Sequence, residues 1–140
     1  MRSFRGRCLV GGSAEGDALV SARAFTFAHG VDPSSGSVTD VHSDIRGENV
    51  KGKVLFYPFG KGSTTASAWF LETARLGNTP AAIVTESIDL SAVIGSALAR
   101  IVYARSIPVL SAFPREMYSE LKSGDHVELD GSGGTLVIAR

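Results

Sequence analysis

Apolar residues run without a break through Val54, Leu55, Phe56 and Tyr57, the pattern of a strand covered on both faces. The segments "AAIVTES" (81–87) and "IPVLSAF" (107–113) read the same way. Between them the period changes from strand to helix. From Ser63 onward, Ala66, Trp69, Phe70 and Ala74 share one helical face while Glu72 and Arg75 fall off it, and Gly77 and Pro80 supply the stop. A second helix is predicted over "LSAVIGSALARIVYA" (90–104), where Ala92, Gly95, Ser96 and Ala99 permit close packing. Strand, helix, strand, helix, strand implies parallel pairing through crossover helices.

The ends of the chain are richer in β signals. "GRCLV" (6–10) and "DALVSA" (17–22) read as strands around a turn at "GGSAEG". "REMYSELKSG" (115–124) reads as a short helix with Met117 and Leu121 inward, ended by Gly124. A hairpin follows, His126–Leu129 and Leu136–Ile138 around a turn at Asp130–Gly134. Two polar stretches, "HGVDPSSGSVTD" and "HSDIRGEN", are too long and irregular for hairpin turns, and long loops inside a small domain are frequently functional. The prediction is one mixed α/β domain over residues 1–140.

Composition narrows the partners. Fourteen basic residues balance fourteen acidic ones, without a block of either sign, so the electrostatic footprint of a nucleic-acid or membrane-surface binder is missing. A small molecule or another protein is the expected partner. Cys8 is the single cysteine; it offers no disulfide and no structural zinc set, and within "CLV" it reads as a small buried hydrophobe. No apolar run approaches the length of a membrane span or a signal-peptide core. The expectation is a soluble, cytoplasmic protein.

The chemistry concentrates in "PFGKGSTTASAWFLETARLG" (58–77). A P-loop would place Ser or Thr directly after the lysine, but Gly62 follows Lys61; a nucleophile elbow would place glycines where Lys61 and Thr65 stand. Both readings fail. A strand end, a glycine-flanked turn and a helix N-terminus remain, an arrangement whose free N–H groups favour an anion. Ser63 lies there with Lys61 nearby, placed to serve as an ordinary N-cap or, as an alkoxide, as a base. Glu15 is either a hydrogen-bonding site residue or a solvated turn carboxylate. His29, Asp32 and His42 fall in the polar loops, His126 reads as structural, and Trp69 as core.

In order along the chain, "GGSAEGDALV", "FTFAHGVDPSSGSVTD", "GENVKGKVLFYPFGKGSTTAS" and "PAAIVTES" resemble the small subunit of the aconitase X enzymes over roughly residues 6–112. The resemblance implies a swivelling β/β/α domain of the aconitase type, split from a large subunit that carries an iron–sulfur centre, expected as a 4Fe-4S cluster. It implies that Ser63, the serine after the Gly-Lys-Gly turn, is the proton acceptor, with Gly60, Lys61, Gly62, Thr64 and Glu15 as candidate substrate contacts and no metal ligand in this chain. In the family the base takes a proton from the carbon beside a carboxylate while the metal, as Lewis acid, receives the departing hydroxyl. One cysteine cannot hold such a cluster, so a heterodimer is implied and this chain alone should be inactive. The activity implied is dehydration of (R)-5-phosphomevalonate to trans-anhydromevalonate 5-phosphate, in a modified mevalonate route to isoprenoids. The runner-up is cis-3-hydroxy-L-proline dehydratase, and the reading from another class is a non-catalytic swivel module.

Overall fold

A computed structural model describes residues 2–61 and 64–139. Four strands form a parallel array in the order β3 (Ser13–Val20), β4 (Val54–Tyr57), β5 (Ala82–Thr85) and β6 (Val109–Ser111). Helix α1 (Thr64–Arg75) connects β4 to β5, and α2 (Leu90–Tyr103) connects β5 to β6. This is the crossover pattern the sequence predicts. Antiparallel strands extend the array at both ends: β2 (Arg7–Val10) on β6, and β7 (His126–Asp130), β8 (Thr135–Ala139) and β1 (Arg2–Arg5) beyond β3.

Two stretches of chain serve two sheets each. The first half of β3 pairs with β7 through Ser13–Asp17, and its second half with β4 through Ala18–Val20. Likewise β1 and β2 are separated by Gly6 alone, yet one pairs with β8 and the other with β6. A Cβ on Gly6 would lie 2.6 Å from the carbonyl oxygen of Ser111 and 2.8 Å from the Phe113 ring, so the crossing accepts no side chain. The eight-stranded order therefore folds over into two facing layers. Val54, Phe56, Val84 and Leu110 point between them to meet Val127, Leu129, Leu136 and Ile138. The alternate residues Leu55, Tyr57, Ile83 and Val109 point the other way, toward Phe70, Ala74, Ala92 and Ala99 of the helices. Each large apolar side chain withdrawn from water in this way stabilises the fold by roughly 1.5–3 kcal/mol. Sheet, sheet and helices make the β/β/α layering implied by the resemblance.

Helix α2 lies close on α1 because its inner face is Ala92, Gly95, Ser96 and Ala99, all buried. Its outer face carries Leu90, Ile94, Leu98, Ile101 and Val102, all exposed. Although irregular, the long passage between β3 and β4 has its own inward residues: Phe25, Phe27, Val31, Val38, Ile45 and Val50 enter the helix-side core. Its short bridges, Val31 with Val38 and Ser37 with Asn49, fold it on itself. No helix among the described residues is long and apolar enough to cross a membrane.

Several expectations are corrected. The turn predicted over "GGSAEG" is confined to its first glycines, and β3 already begins at Ser13. Gly16 is a strand residue whose missing side chain makes room for the carbonyl oxygen of Gly52, 2.4 Å from where a Cβ would stand. Strand β1 has no counterpart in the prediction, because in "RSFR" only Phe4 faces inward. Helix α3 (Arg115–Glu120) is shorter than predicted: Leu121 already has extended backbone, at φ −78° and ψ 133°. Cys8 is half-buried, not buried.

Candidate functional site

The parallel strands end together at the edge where β4 passes through Pro58, Phe59, Gly60 and Lys61 toward α1. This passage is held from both sides. Phe25, buried to 2% exposure, donates its N–H to the carbonyl of Phe59 at 3.1 Å and accepts the N–H of Lys61 at 3.0 Å. On the other side Ser87 donates its N–H to the carbonyl of Pro58 at 3.0 Å. Gly62 and Ser63 lie outside the described residues, as does the side chain of Thr64. The described chain resumes at Thr64, the first residue of α1, and the unpaired N–H groups of a helix's first turn make favourable surroundings for negative charge.

Beneath the loop stands Asp89, the N-cap of α2. One carboxylate oxygen, Oδ1, accepts the N–H of Ser91 at 3.1 Å and its hydroxyl at 2.7 Å. The other, Oδ2, accepts the hydroxyl of Tyr57 at 2.7 Å. Burial, and then the negative charge of Asp89, push the Tyr57 phenol well above its ordinary range, so it stays a donor. Gly60 packs directly on the same carboxyl group: a Cβ there would lie 2.4 Å from Cγ and Oδ2.

Lys61 is not a free cation. Its ammonium nitrogen donates to Oδ2 of Asp40 at 2.8 Å, while Oδ1 of Asp40 accepts the N–H of His42 at 2.9 Å. The lysine hydrogen bond, followed by that of the His42 amide, holds the Asp40 carboxyl below the usual carboxylate range. Asp40 belongs to the polar passage, which Asp44 ties back to the end of β3 by accepting the Ser21 hydroxyl at 2.7 Å and the Ala22 N–H at 2.8 Å. The structure thus brings Gly60, Lys61, Asp40, Asp89 and Tyr57 to one edge.

Glu15 is placed elsewhere. It lies five residues before the end of β3, roughly 16 Å back along the strand at the usual rise per residue. There its Oε2 meets Nε2 of His126 at 3.1 Å, and Asp17 meets Nδ1 at 3.4 Å. Glu15, His126 and Glu128 bring ligand atoms within 4.8 Å of one another, but both ring nitrogens already have carboxylate partners and the carboxylates are exposed. His29 packs on Trp69 with ring centroids 4.4 Å apart and planes tilted by 52°. Trp69 is half-buried, packed against the core, and donates its indole N–H to the carbonyl of Val31 at 2.7 Å. Asp32 closes a turn by accepting from Ser34 and Ser35, and His42 is exposed.

Asp89 and Asp40 were both missed as site residues. Asp89 precedes an apolar helical run and is legible as a cap, but nothing local shows that Gly60 rests on it. Asp40 meets Lys61 only through the folding of the long passage. An iron–sulfur cluster does not fit this chain's donors, since Cys8, on an edge strand, is the single thiol.

A β/β/α sandwich with a glycine-turn loop at the head of α1 has a known counterpart: the aconitase X swivel domain family matches residues 3–138, and the chain belongs to that family. Within it, the chain is 39% identical over 135 residues to the phosphomevalonate dehydratase small subunit of Pyrococcus furiosus, covering 96% of this chain and 94% of that one. The subunit of that name from Thermococcus sibiricus is 40% identical, with 96% and 97% covered. That from Methanosarcina acetivorans is 32% identical, with 98% and 91% covered. The crystal structure of Thermococcus kodakaraensis aconitase X in its holo-form superimposes with a TM-score of 0.88 at 34% identity, over 100% of both chains.

Proposed function

We propose that this chain is the small subunit of a hydro-lyase that dehydrates (R)-5-phosphomevalonate to trans-anhydromevalonate 5-phosphate, with Ser63 as proton acceptor. The observation that carries the reading is the near full-length match to dehydratase small subunits. Those names favour phosphomevalonate over cis-3-hydroxy-L-proline. The chemistry asks for removal of a proton from the carbon beside the carboxylate, loss of hydroxide from the next carbon, and formation of the double bond between them, with net release of water. This chain's share is the proton. A serine at the head of α1 is helped to carry negative charge by the helix's unpaired N–H groups.

The metal centre, an iron–sulfur cluster in this reading, belongs to a large subunit, since this chain's donors do not fit it. The apolar outer face of α2 supports the reading of the chain as one part of a larger assembly, because exposed apolar stripes of this kind mark interaction surfaces. Lys61, a candidate substrate contact, reaches the phosphate with its charge already partly met by Asp40.

The test is Ser63→Ala in the complex with the large subunit, assayed on phosphomevalonate. Removal of a general base should lower kcat by roughly 10²–10⁴-fold, with the complex still eluting as one species. Full turnover in that variant would show the serine to be a cap alone and the domain a non-catalytic module.

A further inference from the structure

The contact between Gly60 and Asp89 has a role that helix capping does not require. A cap needs one carboxylate oxygen, and Oδ1 meets that need through Ser91. The rest of the carboxyl group is committed to other contacts. Oδ2 is fixed by the hydroxyl of Tyr57, whose own side chain is buried to 1% exposure. The face of the carboxyl fills the space where a side chain on residue 60 would stand, with Cγ and Oδ2 at 2.4 Å and Oδ1 at 2.6 Å from the place a Cβ would occupy. Gly60 is not among the residues with positive φ, so glycine stands here for room rather than for backbone freedom.

Resting on the reading of Ser63 as the base, we infer that Asp89 is a positioning residue for the serine loop. Tyr57 and Ser91 lock its carboxyl group, Gly60 rests on it, and Phe25 brackets the next peptide from the opposite side. The backbone entering the Gly62–Ser63 step is therefore set by a rigid buried group. An error of about 1 Å in the placement of a reacting group costs on the order of a hundredfold in rate, which gives the support its catalytic weight. Asp89 touches no substrate and moves no proton in this scheme.

Three variants separate this role from capping. Asp89→Asn keeps the shape and the Oδ1 contacts to Ser91, and its Nδ2 donates to the Tyr57 hydroxyl oxygen where Oδ2 accepted from it. Asp89→Ser is a good cap but is too short to reach Tyr57 or to support Gly60. Gly60→Ala drives a methyl group into the carboxyl. In the complex with the large subunit, Asp89→Asn should keep kcat within a few fold, whereas Asp89→Ser should lower it by about a hundredfold with KM nearly unchanged. Gly60→Ala should be as damaging, and the double variant Gly60→Ala/Asp89→Ser should be less impaired than the product of the two single losses, because the clash is gone.

A second readout needs no turnover. In the isolated chain, exchange of the Lys61 amide, which donates to the carbonyl of Phe25, should quicken by about tenfold or more in Asp89→Ser and stay unchanged in Asp89→Asn, with the amides of Ser91 and Val93 protected in both. A wild-type complex inactive on phosphomevalonate would remove the functional reading while leaving the exchange result to stand. Unchanged exchange at the Lys61 amide in Asp89→Ser, full activity in that variant, or strictly multiplicative losses in the double variant would each overturn the positioning role.

Discussion

The ammonium group of Lys61 and the carboxylate of Asp40 lie 2.8 Å apart, joining the glycine-turn loop to the long polar passage. The Asp40 side chain is 15% exposed and that of Lys61 41%, so the pair is partly screened and should contribute no more than about 1 kcal/mol to stability. Because the carboxyl is held below its ordinary value, that contribution is present above the usual carboxylate range and disappears only as pH falls through the lowered folded value. Under the proposed function, Asp40→Asn frees the lysine for an anionic substrate. The apparent KM for phosphomevalonate should fall severalfold at neutral pH, with a melting temperature within a few degrees of the wild type. An unchanged KM would place the substrate phosphate away from Lys61.

His126 gives a pH dependence of the opposite sign. Hydrogen bonds to Glu15 and then Asp17 raise its pKa above the ordinary histidine value. The protonated ring therefore stabilises the folded state below about pH 6.5, and the effect is lost as pH rises through the raised folded value. The gap in melting temperature between wild type and His126→Gln should be widest near about pH 5–6 and should close at alkaline pH. A gap independent of pH would show that the ring matters for packing alone.

Trp69→Phe tests the tie between α1 and the polar passage. The carbonyl of Val31, a residue with no exposed surface, accepts the Trp69 indole N–H. Phenylalanine keeps the apolar body and removes the donor, so the loss should be about 1–3 kcal/mol, the cost of leaving a buried acceptor unpaired. Urea unfolding followed by circular dichroism measures it.

Gly95→Ala sets helix propensity against packing. In an exposed helix the change would gain about 1 kcal/mol. Here the new methyl would lie 2.8 Å from Cδ1 of Phe70, a ring only 1% exposed and enclosed by the core. Overpacking costs about 1–3 kcal/mol, so the melting temperature should drop. A rise would mean that α2 can shift away from α1.

The parallel centre of the fold was legible because its pattern is redundant: Val54–Tyr57 is apolar throughout, and Ala92, Gly95, Ser96 and Ala99 mark a close helix contact before any partner is known. The N-terminal strands were less so. "RSFR" and "SAEG" are polar segments whose strand character comes from β8 and β7, partners more than a hundred residues away in sequence. The site divides in the same manner. The Gly60–Lys61 turn and the helix behind it announce an anion-friendly end, and the resemblance gives Ser63 a proposed role. Asp40 and Asp89 become visible only when tertiary structure brings them to that turn, since a buried carboxylate contact has no sequence period.

Arg2 and Ile138 face each other across the antiparallel pair of β1 and β8, so these two positions lie side by side on the layer away from α1 and α2. A short tether between those ends would close the polypeptide into a ring without disturbing either sheet, and a cut in the exposed Ser132–Gly133 turn of the β7–β8 hairpin would open it again as a circular permutant.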